Sequence, residues 1–289
     1  MKFVLKYNFG AKIGDIMENI LYWIWLSKLN INNKKELLEK YKTPENIWEV
    51  SKKEKDKDIL KRYLEYMQQH KIKMINIYDK EYPEKLKHIS NPPVVLYIKG
   101  NNELLSDRAI GVIGCRLCSE YGKITASHIS YDLAKNNICV ISGLARGIDT
   151  YAHMGAIAGK GETIAVVGNG LDTVYPKENE ALFNKIIETG GAIVSEYIVG
   201  TKPEAKNFPT RNRIISGLSD GVAVIEAREK SGTFITVDFA LEQGKNIYAV
   251  PGNITSFSSE GTNELIKQGA KVLTNVKDIL EDFRTDKNF

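Results

Sequence analysis

Residues 109–149 read AIGVIGCRLCSEYGKITASHISYDLAKNNICVISGLARGID, and this stretch decides the fold. Ala109–Ile113 and Ile138–Ser142 are short runs that are apolar on every position but the last serine. Between them, Glu120–Asn136 carries its apolar residues at helical spacing. An apolar run without polar alternation is a strand buried on both faces, and two such strands joined through a helix lie parallel. The same texture continues downstream. Strands are expected at Thr163–Gly168, Ala192–Ser195, Gly221–Glu226, Asn246–Val250 and Lys271–Leu273. Helices are expected at Ile148–Ala158, Glu178–Thr189, Arg211–Leu218, Phe234–Gln243, Asn263–Gly269 and Val276–Phe283. The fold class is therefore α/β, a doubly wound and mostly parallel sheet with right-handed crossovers.

Such sheets bind ligands beyond the carboxyl ends of their strands, and nearly every strand exit here carries glycine, hydroxyl or basic residues. The first, Gly111-Val112-Ile113-Gly114-Cys115-Arg116, lets the backbone approach a ligand and projects Arg116 toward an anion. Its glycine spacing is not the G-x-G-x-x-G of dinucleotide binding. The second, Ser142-Gly143-Leu144-Ala145-Arg146-Gly147-Ile148-Asp149, joins a strand to a helix start. Free N–H groups there, with Ser142, Gly143, Arg146 and Gly147, make an expected anion site. The third, Gly168-Asn169-Gly170, runs into Tyr175-Pro176-Lys177-Glu178-Asn179, which brings Lys177 and Asn179 to the same mouth. The fourth is Asn207-Phe208-Pro209-Thr210-Arg211-Asn212-Arg213. Thr210 reads there as a helix N-cap, and at most one of Arg211 and Arg213 points at the mouth. The fifth, Ser231-Gly232-Thr233, again places hydroxyls at a helix start, and the sixth is Pro251-Gly252-Asn253.

Upstream, residues 1–75 read as four short helices. Ile16, Ile20, Trp23 and Ile24 form one apolar stripe, Asn33 and Thr43-Pro44 mark helix starts, and Lys55–His70 is amphipathic. Tyr22, Trp23 and Trp25 read as core rather than as a stacking platform. Met74–Tyr78 is a strand candidate, and Glu81–Pro93 reads as a proline-marked linker before the strand Val94–Ile98. The expected organisation is a helical segment over 1–75, linker and first strands over 76–107, and the α/β domain over 108–289. Residues 1–80 hold 17 Lys+Arg against 11 Asp+Glu, +6, whereas the rest hold 23 against 25, −2. The basic excess lies wholly in the first segment, which suits a polyanion or a solvated helix surface equally.

Other classes fall away. The longest apolar run, Ile20–Leu26, is far shorter than the ~20 residues a membrane-spanning helix needs. Lys6 and Lys12 break up any secretory signal, and three cysteines do not make a disulfide framework, so the expectation is a soluble cytoplasmic protein. Cys115 and Cys118 have C-x-x-C spacing, but zinc would need a second pair and only Cys139 remains. Asp149 and His153 are i, i+4 neighbours without a nucleophile beside them, and there is no G-x-x-x-x-G-K-[ST]. No cofactor, metal or catalytic set is expected. Many anion-binding exits without catalytic residues indicate a binder of a phosphate backbone.

The motifs together carry a specific resemblance. They are Tyr82-Pro83-x-x-Leu86, Gly111-x-Ile113-Gly114-x-Arg116, Ser142–Asp149 with Ala152-His153, and Gly168-x-Gly170-Leu171-Asp172 with Tyr175-Pro176-x-x-Asn179. They continue with Asn207-Phe208-Pro209-x-Arg211-Asn212-Arg213, Ser231-Gly232-Thr233-x-Ile235-Thr236, Ala240–Gly244 and Val250-Pro251-Gly252. In order over about two thirds of the chain, they resemble the DNA processing protein A (Smf) family. The resemblance implies an extended Rossmann-like domain that binds single-stranded DNA, forms a homodimer, protects incoming strands and helps load the recombinase RecA in natural transformation. It implies that Arg116 and Lys177 hold phosphates, with Ser142–Gly147 and Arg211–Arg213 around the pocket. It also implies a sterile-alpha-motif-like N-terminal domain, and with no long apolar run no membrane partner is expected. Two features depart from the family pattern. Gly-Cys-Arg stands where Gly-Thr-Arg or Gly-Ser-Arg is usual, and the chain reads to Phe289 without the winged-helix domain of many relatives. The competing reading is a Rossmann-like nucleoside monophosphate phosphoribohydrolase with G-G-x-G-T-x-x-E. Gly232-Thr233 matches its centre, but Thr236 stands where the glutamate would, and threonine cannot serve as the acid or base. Tyr175 and Phe208 are candidate stacking residues by position.

Overall fold

The computed structural model describes residues 13–285. The N-terminal residues through Lys12, read above as no secretory signal, lie outside them, as do the last four. Four helices open the chain: α1 (Ile13–Lys28), α2 (Lys34–Tyr41), α3 (Pro44–Val50) and α4 (Lys57–Gln69). Then come β1 (Ile72–Asn76), the single-turn α5 (Glu84–Lys87) and β2 (Val95–Gly100). The α/β series is β3 (Ala109–Ile113), α6 (Glu120–Lys135), β4 (Cys139–Ser142), α7 (Ile148–Ala158), β5 (Thr163–Val166), α8 (Glu180–Glu188) and β6 (Ala192–Ser195). It continues as α9 (Asn207–Leu218), β7 (Gly221–Val224), α10 (Thr233–Glu242), β8 (Asn246–Ala249), α11 (Glu260–Lys267), β9 (Lys271–Val272) and α12 (Lys277–Thr285).

One sheet runs β1-β2-β6-β5-β4-β3-β7-β8-β9. From β6 to β9 every neighbouring pair is parallel. The β1–β2 hairpin joins the β6 edge antiparallel. The chain steps outward from β3 through β4, β5 and β6, then returns to the far side of β3 with β7. The β3–β7 boundary is thus the topological switch point of the sheet.

Side chains alternate across the sheet as strand geometry requires. Ile110, Val112, Val140 and Ala223 face a core shared with Ile129, Leu133 and Ala152 of α6 and α7. Ile113, Ile141, Val222 and Val224 face the opposite core, shared with Ile214 and Leu218 of α9 and Val237 of α10. The N-terminal helices belong to this second core. Trp23 meets Tyr78 edge-on at 5.8 Å, and the Ser27 hydroxyl lies 2.6 Å from that of Tyr97 on β2. Tyr22, Trp23 and Trp25 are buried, as their helical spacing predicts.

Of the three caps read from the sequence only Thr43 holds, while Asp56 and Ser119 cap helices where the sequence reading places no cap. Thr43 accepts from Asn46 N, Asp56 from the N–H groups of Asp58 and Ile59, and Ser119 from Gly122 N. Three readings need correction. Thr210 is no N-cap: α9 begins at Asn207, and the Thr210 hydroxyl donates back to Lys206 O inside the first turn. Asn33 stands at the N-cap of α2, but its carboxamide donates to the Glu36 carboxylate instead of capping a backbone N–H. The proline-marked segment 81–93 is no free linker. Tyr82 is buried and donates to Pro93 O at 2.7 Å, while Leu86 and Ile89 pack against Gly217 of α9. Among the described residues, no helix is long and apolar enough to cross a membrane.

Candidate functional site

The exits of β3, β4 and β5 and the start of α9 converge on one small cleft. It is lined by Arg116, Gly143, Ala145, Arg146, Tyr175, Pro176, Phe208 and Arg211. Two glycines make this convergence possible. Gly147 has φ +75°, and a Cβ there would collide with the carbonyl oxygens of Cys115 and Arg116. The β4 turn therefore packs directly on the backbone that presents Arg116. Gly143 lies between Arg211 Nη2 and an Asp149 carboxylate oxygen, each 2.7 Å from where a Cβ would stand.

The cations of the cleft differ in kind. Arg116 is exposed and makes no ion pair among the described residues; its guanidinium lies 5.8 Å from the Phe208 ring centre. Arg211 is buried, and its Nη1 donates to the Gly143 and Val166 carbonyl oxygens. Burial pulls its guanidinium down to about 10, with Asp149 opposing and repulsion from Arg116 adding to the effect. Both guanidiniums thus line one opening, Arg116 from its exposed side and Arg211 from its buried side next to Asp149. Arg146 is half exposed and paired with Glu178. Tyr175 stacks on Phe208 at 5.4 Å and 28°, leaving its own ring partly exposed. These aromatics, placed by sequence only as candidates, line the cleft beside Arg116.

Other expected site residues hold the cleft together from behind. The β4 turn is not an open anion site, because the Asp149 side chain already takes its N–H groups. The Asp149 carboxylate accepts from Gly143 N at 3.1 Å and Ala145 N at 3.3 Å. Burial drives this carboxyl upward, against the pull of Arg211 and those two donors. The helix-start N–H of Ile148 goes to Cys115 O. Ser142 is fully buried and donates to Val112 O, so its hydroxyl does not reach the mouth. Asn179 is buried and donates to Leu144 O and Thr150 Oγ1, tying the β5 exit to the β4 turn. Asn207 is buried beneath the β5 exit. Lys177 is exposed next to Pro176, outside the cleft lining and without an ion pair among the described residues.

Two residues apart on α9, Arg211 and Arg213 do face different ways. Arg213 turns inward and pairs bidentately with Glu196, away from the cleft. Ser231, Gly232 and Thr233 lie at the start of α10, beyond the switch point and outside the cleft lining. Asp149 and His153 do not pair. His153 is buried with Nδ1 2.7 Å from Thr163 Oγ1, which itself donates to Val140 O, so Nδ1 carries the proton. Burial pulls this imidazole down to about 3. Cys115 and Cys118 are free thiols, and burial pushes Cys115 up to about 12. Sequence reasoning passed over Glu226, a buried carboxylate that gathers Ser119, Ser258 and Cys115. Nothing in its local sequence signals that role, because its partners come from loops far away in the chain.

Comparison with known proteins gives a consistent pattern. The family model of DNA recombination-mediator protein A matches residues 73–284. The DNA processing protein DprA of Streptococcus pneumoniae is 43% identical over 213 residues, 74% of this chain and 75% of that protein. Its Bacillus subtilis counterpart is 42% identical over 224 residues, 77% and 75%. Among solved structures, DNA processing protein A from Streptococcus pneumoniae superposes with a TM-score of 0.77 at 36% identity, covering 91% of this chain and 97% of that one. The protein from Helicobacter pylori, solved for its single-stranded DNA binding mode, superposes with a TM-score of 0.67 at 29% identity, covering 74% and 96%. This chain belongs to the DNA recombination-mediator protein A family.

Proposed function

We propose that this protein binds single-stranded DNA through its phosphates at the cleft on the carboxyl edge of the sheet. It shields the bound strand and helps load the RecA recombinase during recombination and natural transformation, acting as a cytoplasmic homodimer. The observation that carries this reading is the pair Arg116 and Arg211, two charged guanidiniums turned to one opening beside the Tyr175–Phe208 stack. Binding a single strand without sequence preference needs this combination, a positive groove and an aromatic face. Arg116 can fork two phosphate oxygens, and Lys177 adds a mobile point charge at the rim. Family membership and the single-stranded DNA binding of the Helicobacter pylori relative support the substrate; the family's mediator role supports the recombinase partner. The protein is a binder rather than a hydrolase, since Thr236, where a phosphoribohydrolase would carry glutamate, is buried within α10.

Titration of oligothymidylate binding against salt tests the reading. Affinity falls steeply as salt rises, because each phosphate contact releases counterions. The protein accelerates RecA filament formation on the same strand and releases no free base from nucleoside monophosphates. Flat affinity across salt, or base release lost on mutating the cleft, would overturn it.

A further inference from the structure

Beyond the cleft, across the switch point, the carboxyl edge carries a second surface built differently. Ile254, Leu117 and Phe257, 89%, 81% and 73% exposed, are the three most exposed large apolar side chains among the described residues; Tyr121 joins them at 50%. Large apolar side chains left exposed on neighbouring loops mark a contact surface. These residues come from the β3 exit, the start of α6 and the β8 exit, and the loops that carry them are fastened together. Glu226, just past β7, accepts from Ser119 N at 2.9 Å, Ser119 Oγ at 2.5 Å and Ser258 Oγ at 3.0 Å. The backbone adds Cys115 N to Glu226 O and Ala227 N to Ser258 O, both at 2.9 Å. Tyr121 donates its hydroxyl to Pro251 O at 2.9 Å. The rim is therefore held in place around a buried carboxylate, with its apolar groups pointed at water.

Its position and charge indicate what covers it. Leu117 directly follows Arg116, so the rim begins where the cleft ends. The exits of β3 and β8 are two strand spacings apart, ~10 Å, which continues the cleft along the same edge. The exposed charges nearby cancel, Arg116, Arg228 and Lys230 against Glu120, Glu229 and Glu260. A surface that is apolar and aromatic but electrically balanced has little to offer phosphates. It suits the faces of bases, which stack on aromatic rings regardless of sequence.

We propose that the Leu117, Tyr121, Ile254 and Phe257 rim is a base-stacking extension of the cleft, contacting the bound single strand through its bases. This rests on the single-strand reading above and adds a contact that salt does not weaken. The test compares the full-length protein with the Ile254→Ser/Phe257→Ala double variant and, separately, with Arg116→Ala. The double variant binds a long oligothymidylate about tenfold more weakly, with an unchanged salt slope. It binds the shortest oligothymidylate that fills the cleft like the parent, and Phe257→Trp retains parental affinity. On an abasic strand of the long length, parent and double variant bind alike. Arg116→Ala weakens binding to both lengths. Parental binding by the double variant on the long strand, while Arg116→Ala is impaired, would overturn the rim alone. A loss that persists undiminished on the abasic strand would also overturn it, by showing a surface for something other than bases. Unimpaired binding by Arg116→Ala would instead overturn the underlying reading of the cleft.

Discussion

Arg213→Met removes a guanidinium whose two terminal nitrogens each donate to one oxygen of Glu196 at 2.7 Å. The side chains of the pair are 6% and 13% exposed. The same guanidinium donates to Asn91 O at 2.8 Å and Thr210 O at 3.0 Å, fastening the 81–93 segment and the first turn of α9. Methionine fills part of the volume but leaves Glu196 out of water without its partner. Breaking a buried pair from one side costs ~3–5 kcal/mol, a large share of the ~5–15 kcal/mol that holds a domain together. Urea unfolding followed by tryptophan fluorescence reads this as a lower midpoint at unchanged slope. Adding Glu196→Gln recovers part of the loss, because a neutral amide no longer strands a charge. The folded variant keeps the parent's affinity for single strands. A parental midpoint would refute the buried-pair reasoning, and a tenfold loss of DNA affinity in the folded variant would place Arg213 in the binding site after all.

Two further outcomes follow from the same geometry. His153 titrates near 6.5 when unfolded but at about 3 in the fold, so the unfolded chain takes up the proton first. Stability present above pH 6.5 is withdrawn as pH falls toward 3, at ~1.4 kcal/mol per pH unit and on the order of 5 kcal/mol in all. Urea melts between pH 8 and 4 should show His153→Asn losing this component of acid sensitivity; parallel curves for variant and parent would refute it. Glu178→Gln releases Arg146 from its half-exposed pair and removes a negative charge from the mouth, so single-strand affinity rises roughly two- to fivefold, most at low salt. Unchanged or weaker binding would mean that Arg146 does not reach the strand.

The α/β architecture was readable because it rests on local information. Runs such as AIGVI and ICVIS declare buried parallel strands, and glycines after each strand declare the exits. Arg116 stands out in one dimension as a basic residue at a strand exit, whereas for Arg211 and Arg213 the sequence says only that at most one of them faces the mouth. What the sequence hid depends on partners that folding brings in from elsewhere. Asp149 reads only as an i, i+4 neighbour of His153 until it is seen to close the Gly143–Ala145 turn, where the sequence suggests an anion site. Ser142 reads as a free hydroxyl, yet a neighbouring strand's carbonyl takes it. Arg213 reads like Arg211 until Glu196 is placed beneath it. The 81–93 segment reads as a linker because prolines speak of local geometry, whereas Tyr82 and Leu86 speak of packing only once α9 is opposite them. Glu226 organises three loops that share no sequence neighbourhood.

The most direct measurement is the affinity of the Arg116→Ala/Lys177→Ala double variant for single-stranded oligonucleotides across a salt series, beside both single variants and the parent. Each single change costs ~1.5–3 kcal/mol, roughly ten- to hundredfold in affinity, through loss of a charge-assisted phosphate contact. The loss is the same on oligothymidylate and on mixed sequence, since phosphates carry no base information. The slope of log affinity against log salt becomes shallower by about 0.7 for each contact removed. A double variant that melts like the parent and keeps both its affinity and its salt slope would contradict the account.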